Sequence, residues 1–222
     1  MGIPKKVREA LDDWRFGDRL PAIKEAAHRY AGPEKQLIQT GIIEKNPNII
    51  NLEVACQNAG EDDESAAPEN SRLDFAAVRK DENEKLTIVH YEAKILDDPR
   101  LKPQKGKPEP EILQQMRDYD RILGDKRWRD ALKQRYVEIA IAMLKLGLTG
   151  RHGRGVTTYN LTEEELAKIA QGDFVLASKA KLVIFARTNE RLHDQKIEFL
   201  KNKLEPGTVL ACGESKAGGI SK

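Results

Sequence analysis

Residues 73–94 read LDFAAVRKDENEKLTIVHYEAK. The two flanking segments, 73–79 (LDFAAVR) and 86–96 (LTIVHYEAKIL), are rich in β-branched and aromatic residues, and the polar run 80–85 between them has the composition of a turn. The pattern predicts a β-hairpin. With the turn centred near Asn83, Asp74 falls opposite Glu92, and cross-strand partners on one face have β-carbons roughly 5 Å apart. Side chains alternate along a strand, so Lys94 shares the Glu92 face. Two facing carboxylates repel, which disfavours the arrangement in a purely structural sheet unless a cation sits between them. Mg²⁺ is the natural candidate, because it takes oxygen ligands, typically one or two carboxylates plus waters and phosphate oxygens. A lysine beside such a site can orient an attacking water or stabilise charge on a phosphate.

Downstream, residues 111–123 (EILQQMRDYDRIL) place Ile112, Met116, Ile122 and Leu123 at helical spacing, with Gln115 and Tyr119 one turn apart on the same face. A glutamine on a buried face needs a partner, since an unsatisfied amide there costs on the order of 1–3 kcal/mol. The metal site or a bound phosphate would provide one.

Asp74, the hairpin, Glu92-Ala93-Lys94 and the following helix, in that order, resemble the PD-(D/E)xK nuclease superfamily. Gln115-xxx-Tyr119 is similar to the QxxxY helix of its RecB-like branch. The resemblance extends from the helix near Glu34 to the strand near Phe185. It implies an α/β fold with a restriction-endonuclease-like αβββαβ core, a mixed central sheet flanked by helices. It also implies a Mg²⁺ or Mn²⁺ ion held by Asp74, Glu92 and the carbonyl of Ala93, with Gln115 and Tyr119 positioning Lys94 or a phosphate. In that superfamily the first core helix often adds an acidic ligand. Glu34 is the best match and Glu25 the alternative, although a first-turn glutamate also suits the helix dipole. The expected activity is phosphodiester hydrolysis of nucleic acid, foremost DNA. A nuclease-fold protein that binds nucleic acid or a protein partner without cleaving is the alternative. Duplex-cutting enzymes often pair two sites, which makes a homodimer a further expectation.

The remaining chain frames this centre. Segments 4–14 and 21–31 read as short helices within an N-terminal helical segment, 1–32, and a third helix opens at Pro33. Residues 49–56 (IINLEVAC) read as the first strand, and the acidic run 60–71 as an exposed loop. The segment 97–110 carries Arg100, Lys102, Lys105 and Lys107 among prolines, and 150–155 (GRHGRG) carries Arg151 and Arg154. Both are expected to contact the nucleic-acid backbone, with a solvated linker as the plain alternative for the first. A helical insertion is expected over about 125–175. Within it Trp128 is expected to pack rather than stack on a base, residues 136–146 (YVEIAIAMLKL) are expected to be buried, and Thr162 with Glu165 forms a capping box. Residues 181–187 read as a buried strand, 190–204 as a final helix, and 205–222 as a C-terminal tail.

Composition narrows the chemistry. Charged residues make up 33% and aromatics 5% of the 222 residues, with net charge +2, a balance that neither demands nor excludes nucleic acid. Cys56 and Cys212 form no CxxC pair, which argues against zinc or a four-cysteine iron–sulfur cluster and fits a reducing cytoplasm. His28, His90, His152 and His193 are scattered, and no GxSxG elbow is present. His90 shares the Glu92 face and either packs or serves the site. No apolar run approaches the roughly 20 residues of a membrane span, so no membrane association is expected.

Overall fold

The computed structural model describes residues 41–42, 45–46, 48–55, 72–148, 161–186 and 194–213. Among the described residues six strands form one mixed sheet: β1 Ile49–Ala55, β2 Arg72–Lys80, β3 Leu86–Ile95, β4 Val175–Leu176, β5 Lys181–Ala186 and β6 Val209–Gly213. Their order is β1-β2-β3-β5-β6, with β4 also paired to β3. The first three strands run antiparallel, whereas β3, β5 and β6 are mutually parallel, with β4 parallel to β3. The α/β architecture is therefore as expected.

The hairpin forms because its turn is internally bonded. The Asp81 carboxylate accepts from the backbone of Asn83 and Lys85, each at 2.9 Å, and Glu84 takes a left-handed φ of 62°. Lys80 then faces Leu86 and Phe75 faces Tyr91, the register expected from a turn centred on Asn83. That register carries Asp74 to the level of Glu92.

Among the described residues four α-helices follow: α1 Glu111–Gly124, α2 Lys126–Lys145, α3 Glu163–Ala170 and α4 Gln195–Lys203. α1 lies in the chain between β3 and β5 and buries Ile112, Leu113, Met116, Tyr119, Ile122 and Leu123. Asp125 alone separates it from α2, whose N-terminus Asp125 caps by accepting from Arg127 and Trp128. Both halves of the Thr162–Glu165 capping box are formed on α3, and the flanking Leu161 and Leu166 are buried together. Trp128 packs, half-buried, against the main core.

The two sheet faces have separate cores. One joins Val78, Ile88, Leu182 and Ile184 to residues of all four helices; the other holds Phe75, Val89, Tyr91, Val183 and Phe185, with the Phe75 and Tyr91 rings stacked at 4.7 Å.

Three expectations are corrected. Residues 136–146 are not buried throughout: Tyr136, Ala140 and Met143 form the buried stripe, while Ile141 and Leu146 are 38% and 72% exposed. A helix laid on one core turns only one stripe inward. Residues 209–213, expected as part of a tail, are the strand β6 beside β5, and the last helix begins at Gln195 rather than near 190. Among the described residues no helix is long and apolar enough to cross a membrane.

Candidate active site

β3 supplies the centre of the site. Alternation turns His90, Glu92 and Lys94 to the helix-covered face, and the α1 helix crosses there with Gln115 and Tyr119. Glu92 and Lys94 are buried, at 2% and 4% exposure, an uncommon fate for either residue type unless paired. They pair with each other: the Lys94 ammonium bonds Glu92 Oε1 and also donates to the Ala93 carbonyl at 3.1 Å. Gln115 Nε2 donates to the same Oε1 at 2.9 Å and to the Tyr119 hydroxyl at 2.8 Å. Asp74, half-buried on β2, accepts the Ala93 backbone N–H through Oδ2 at 2.7 Å. The five side chains singled out in the sequence thus meet in one cluster, and the Ala93 carbonyl belongs to it.

The buried glutamine finds its partners inside the cluster. The Tyr119 hydroxyl shows why the cluster is not self-sufficient. It has one proton, yet it faces two acceptors, the Arg72 carbonyl at 2.6 Å and Glu92 Oε2 at 3.0 Å. When the proton goes to the nearer carbonyl, Oε2 faces an oxygen lone pair and calls for a proton or a cation.

Electrostatics point the same way. Burial first, and then the Asp74 charge, push the Glu92 carboxyl above its ordinary range against the pull of Lys94. Asp74 is also raised, chiefly by burial, while Lys94 and the Ala93 N–H work to lower it. Burial and the neighbouring Glu92 charge raise Tyr119 as well, so it stays a neutral phenol.

The donor set fits a hard divalent cation: two carboxylates and a carbonyl, all oxygen. Among the described residues no group of three or more His, Cys, Asp or Glu side chains converges as a metal site. The expected third acid, Glu34 or Glu25, lies outside the described residues, as do Arg151 and Arg154. A different acid, outside the sequence pattern, stands nearby. Glu53 on β1 falls between the pairs Leu52–Phe75 and Val54–Leu73, level with Asp74, and its charge helps raise Asp74. Its φ of 50° is a sparsely populated conformation for glutamate, which nothing in the local sequence announces.

Two other groups take definite places. His90, wholly buried, bonds through Nε2 to the Tyr136 hydroxyl at 2.8 Å and so joins β3 to α2 rather than serving a carboxylate. Lys102, Lys105 and Lys107 are exposed on the segment after β3, with Lys107 drawn to Glu111 at 3.4 Å. Comparison with known proteins adds nothing to this picture: no family model, no curated protein and no solved structure matches the chain.

Proposed function

We propose that the protein is a Mg²⁺- or Mn²⁺-dependent nuclease of the PD-(D/E)xK kind, with a restriction-endonuclease-like core, hydrolysing phosphodiester bonds of nucleic acid, foremost DNA. The observation that carries this reading is the convergence of Asp74, Glu92, Lys94, Gln115 and Tyr119, drawn from two strands and a helix, around a raised pair of carboxylates. Support also comes from the chain order, in which three strands are followed by α1 and, after α2, α3 and β4, by β5 parallel to β3.

Asp74, Glu92 and the Ala93 carbonyl would hold the ion. When bound, it would polarise the phosphodiester and make water a competent nucleophile near neutral pH. Lys94, the cationic side chain of the cluster, neutralises charge that develops on the phosphate in the transition state. Gln115 and Tyr119 hold both Glu92 oxygens in place, so that the carboxylate does not reorient as the reaction proceeds. The exposed Lys102 and Lys105 would add backbone contacts of the sequence-independent, salt-sensitive kind.

The test uses labelled single- and double-stranded DNA with Mg²⁺ or Mn²⁺. Wild type is expected to cleave and Lys94→Ala to fail. Equal cleavage by both, or none by either on any substrate, sinks the catalytic assignment. A specific observation also favours a non-cleaving relative: Lys94 itself engages two of the expected ligand oxygens. Calorimetry separates the two readings, because the nuclease binds Mn²⁺ in a manner lost on Asp74→Asn, whereas the non-cleaving protein shows no such binding.

A further inference from the structure

The turn after β3 contains an ion pair of uneven burial. The Asp98 side chain is 3% exposed and that of its partner Arg100 is 35% exposed. Asp98 Oδ1 accepts from the Arg100 backbone N–H at 2.8 Å and from Nε at 3.0 Å, and Oδ2 accepts from Nη2 at 2.6 Å. The guanidinium is therefore gripped along its Nε–Nη2 edge by a carboxylate that also fixes its own backbone. The platform is firm. Asp98 donates to the Ile95 carbonyl at 2.9 Å, Leu101 is buried behind the short 3-10 turn Pro99–Leu101, and Lys196 of α4 donates to the Leu96 carbonyl at 2.9 Å.

Capping that turn needs only the Asp98 carboxylate and a backbone N–H. A guanidinium held in one geometry by a buried carboxylate is what recognition of a planar or tetrahedral oxyanion uses. The position is also right. The turn leaves the carboxyl end of β3, just past Lys94. Lys102, Lys105 and Lys107 farther along have no comparable grip and stand exposed.

Resting on the nuclease reading, we propose that Arg100 is a substrate-binding residue whose guanidinium, aimed by Asp98, holds a non-bridging phosphate oxygen of the nucleic acid beside the Asp74–Glu92–Lys94 cluster. Asp98 is then a positioning residue. Arg100 holds the phosphate group and takes no part in binding the ion.

The experiment compares the full-length wild type with Arg100→Lys, Arg100→Ala and Asp98→Asn in three readouts: cleavage kinetics, calorimetric Mn²⁺ affinity without nucleic acid, and unfolding midpoint. Arg100→Lys keeps the charge and loses the fork, so kcat/KM is expected to fall about ten-fold or more, carried mainly by KM, with Mn²⁺ affinity and midpoint unchanged. Asp98→Asn, which removes the charge that grips the guanidinium, is expected to fall less. Wild-type kinetics in Arg100→Lys and Arg100→Ala would overturn the role of Arg100 and leave the nuclease reading standing. A loss that tracks a parallel fall in Mn²⁺ affinity or midpoint would show a structural pair instead. A wild type that neither binds Mn²⁺ nor cleaves removes the nuclease reading, and the phosphate role with it.

Discussion

Glu92 and His90 stand two residues apart on one face of β3, both buried, and their surroundings differ in kind. His90 is met by a single hydroxyl, that of Tyr136, and burial with the nearby Arg129 charge lowers its pKa to about 4, so it sits in the core as a neutral ring. Glu92 is met by an ammonium, an amide and a phenol, stays beside a second carboxylate, and is raised rather than relieved. A core that needs a polar tie between strand and helix builds the first arrangement. The second concentrates charge where folding alone would have chosen neutral side chains, because buried ion pairs are commonly no better than apolar replacements.

The sharpest way to break that contrast is to neutralise the charged cluster. Glu92→Gln/Lys94→Met removes both charges at similar volume. Cleavage is expected to fall by about 10²–10³-fold or more. The urea unfolding midpoint is expected to hold or rise, since such replacements are often neutral or stabilising by about 1–4 kcal/mol. A double variant destabilised by several kcal/mol would mean that the pair is there for the fold, and the two clusters would no longer differ.

Much of the cluster was legible in the sequence because its information is local. The β-branched flanks and the turn around Asn83 set the hairpin register, and that register alone brings Asp74 level with Glu92. Gln115 and Tyr119 follow from helical spacing. What escaped is what depends on distant partners. β6 is a five-residue strand that follows Pro206-Gly207, and only its pairing with β5 makes VLACG a strand. β4 is two residues long and exists through β3. Tyr136 as the partner of His90, and the outward turn of Ile141 and Leu146, follow from how α2 lies on the sheet, which periodicity within 136–146 does not specify. The Asp98–Arg100 grip is an i,i+2 pair visible as letters, yet only burial of Asp98 makes it rigid.

Proton linkage distinguishes the clusters by sign. The folded His90 pKa of about 4 lies below its ordinary 6.5, so between those values the unfolded chain binds a proton that the folded chain excludes. Its contribution is present in full above 6.5 and is lost as pH falls toward 4. Asp74 and Glu92 run the other way: their raised values favour the fold below the ordinary carboxylate range, a contribution lost as pH climbs through their folded pKa values. A single stability curve mixes the two. The difference between wild type and His90→Gln isolates the histidine, and wild type is expected to lose more stability than the variant on going from pH 7 to pH 4.5, by on the order of a few kcal/mol. Parallel curves would show that His90 is not held neutral by the fold.

The smallest change is the loss of one oxygen. Tyr136→Phe keeps the ring against Phe174 but leaves His90 Nε2 buried without its hydroxyl. The cost is expected to be about 1–3 kcal/mol of stability, the penalty for an unpaired buried polar group. Cleavage per folded molecule is expected to match wild type, because Tyr136 bonds to none of Asp74, Glu92 and Lys94. Tyr119→Phe is the matched control, also one oxygen, but removed from a hydroxyl that touches Glu92 Oε2 and Gln115. If both variants lose stability alike and neither loses cleavage, Tyr119 is only another strand-to-helix tie. If Tyr119→Phe alone loses cleavage in excess of its loss of fold, the two hydroxyls serve different ends, and the strand face divides between an anchor at His90 and a reactive centre at Glu92.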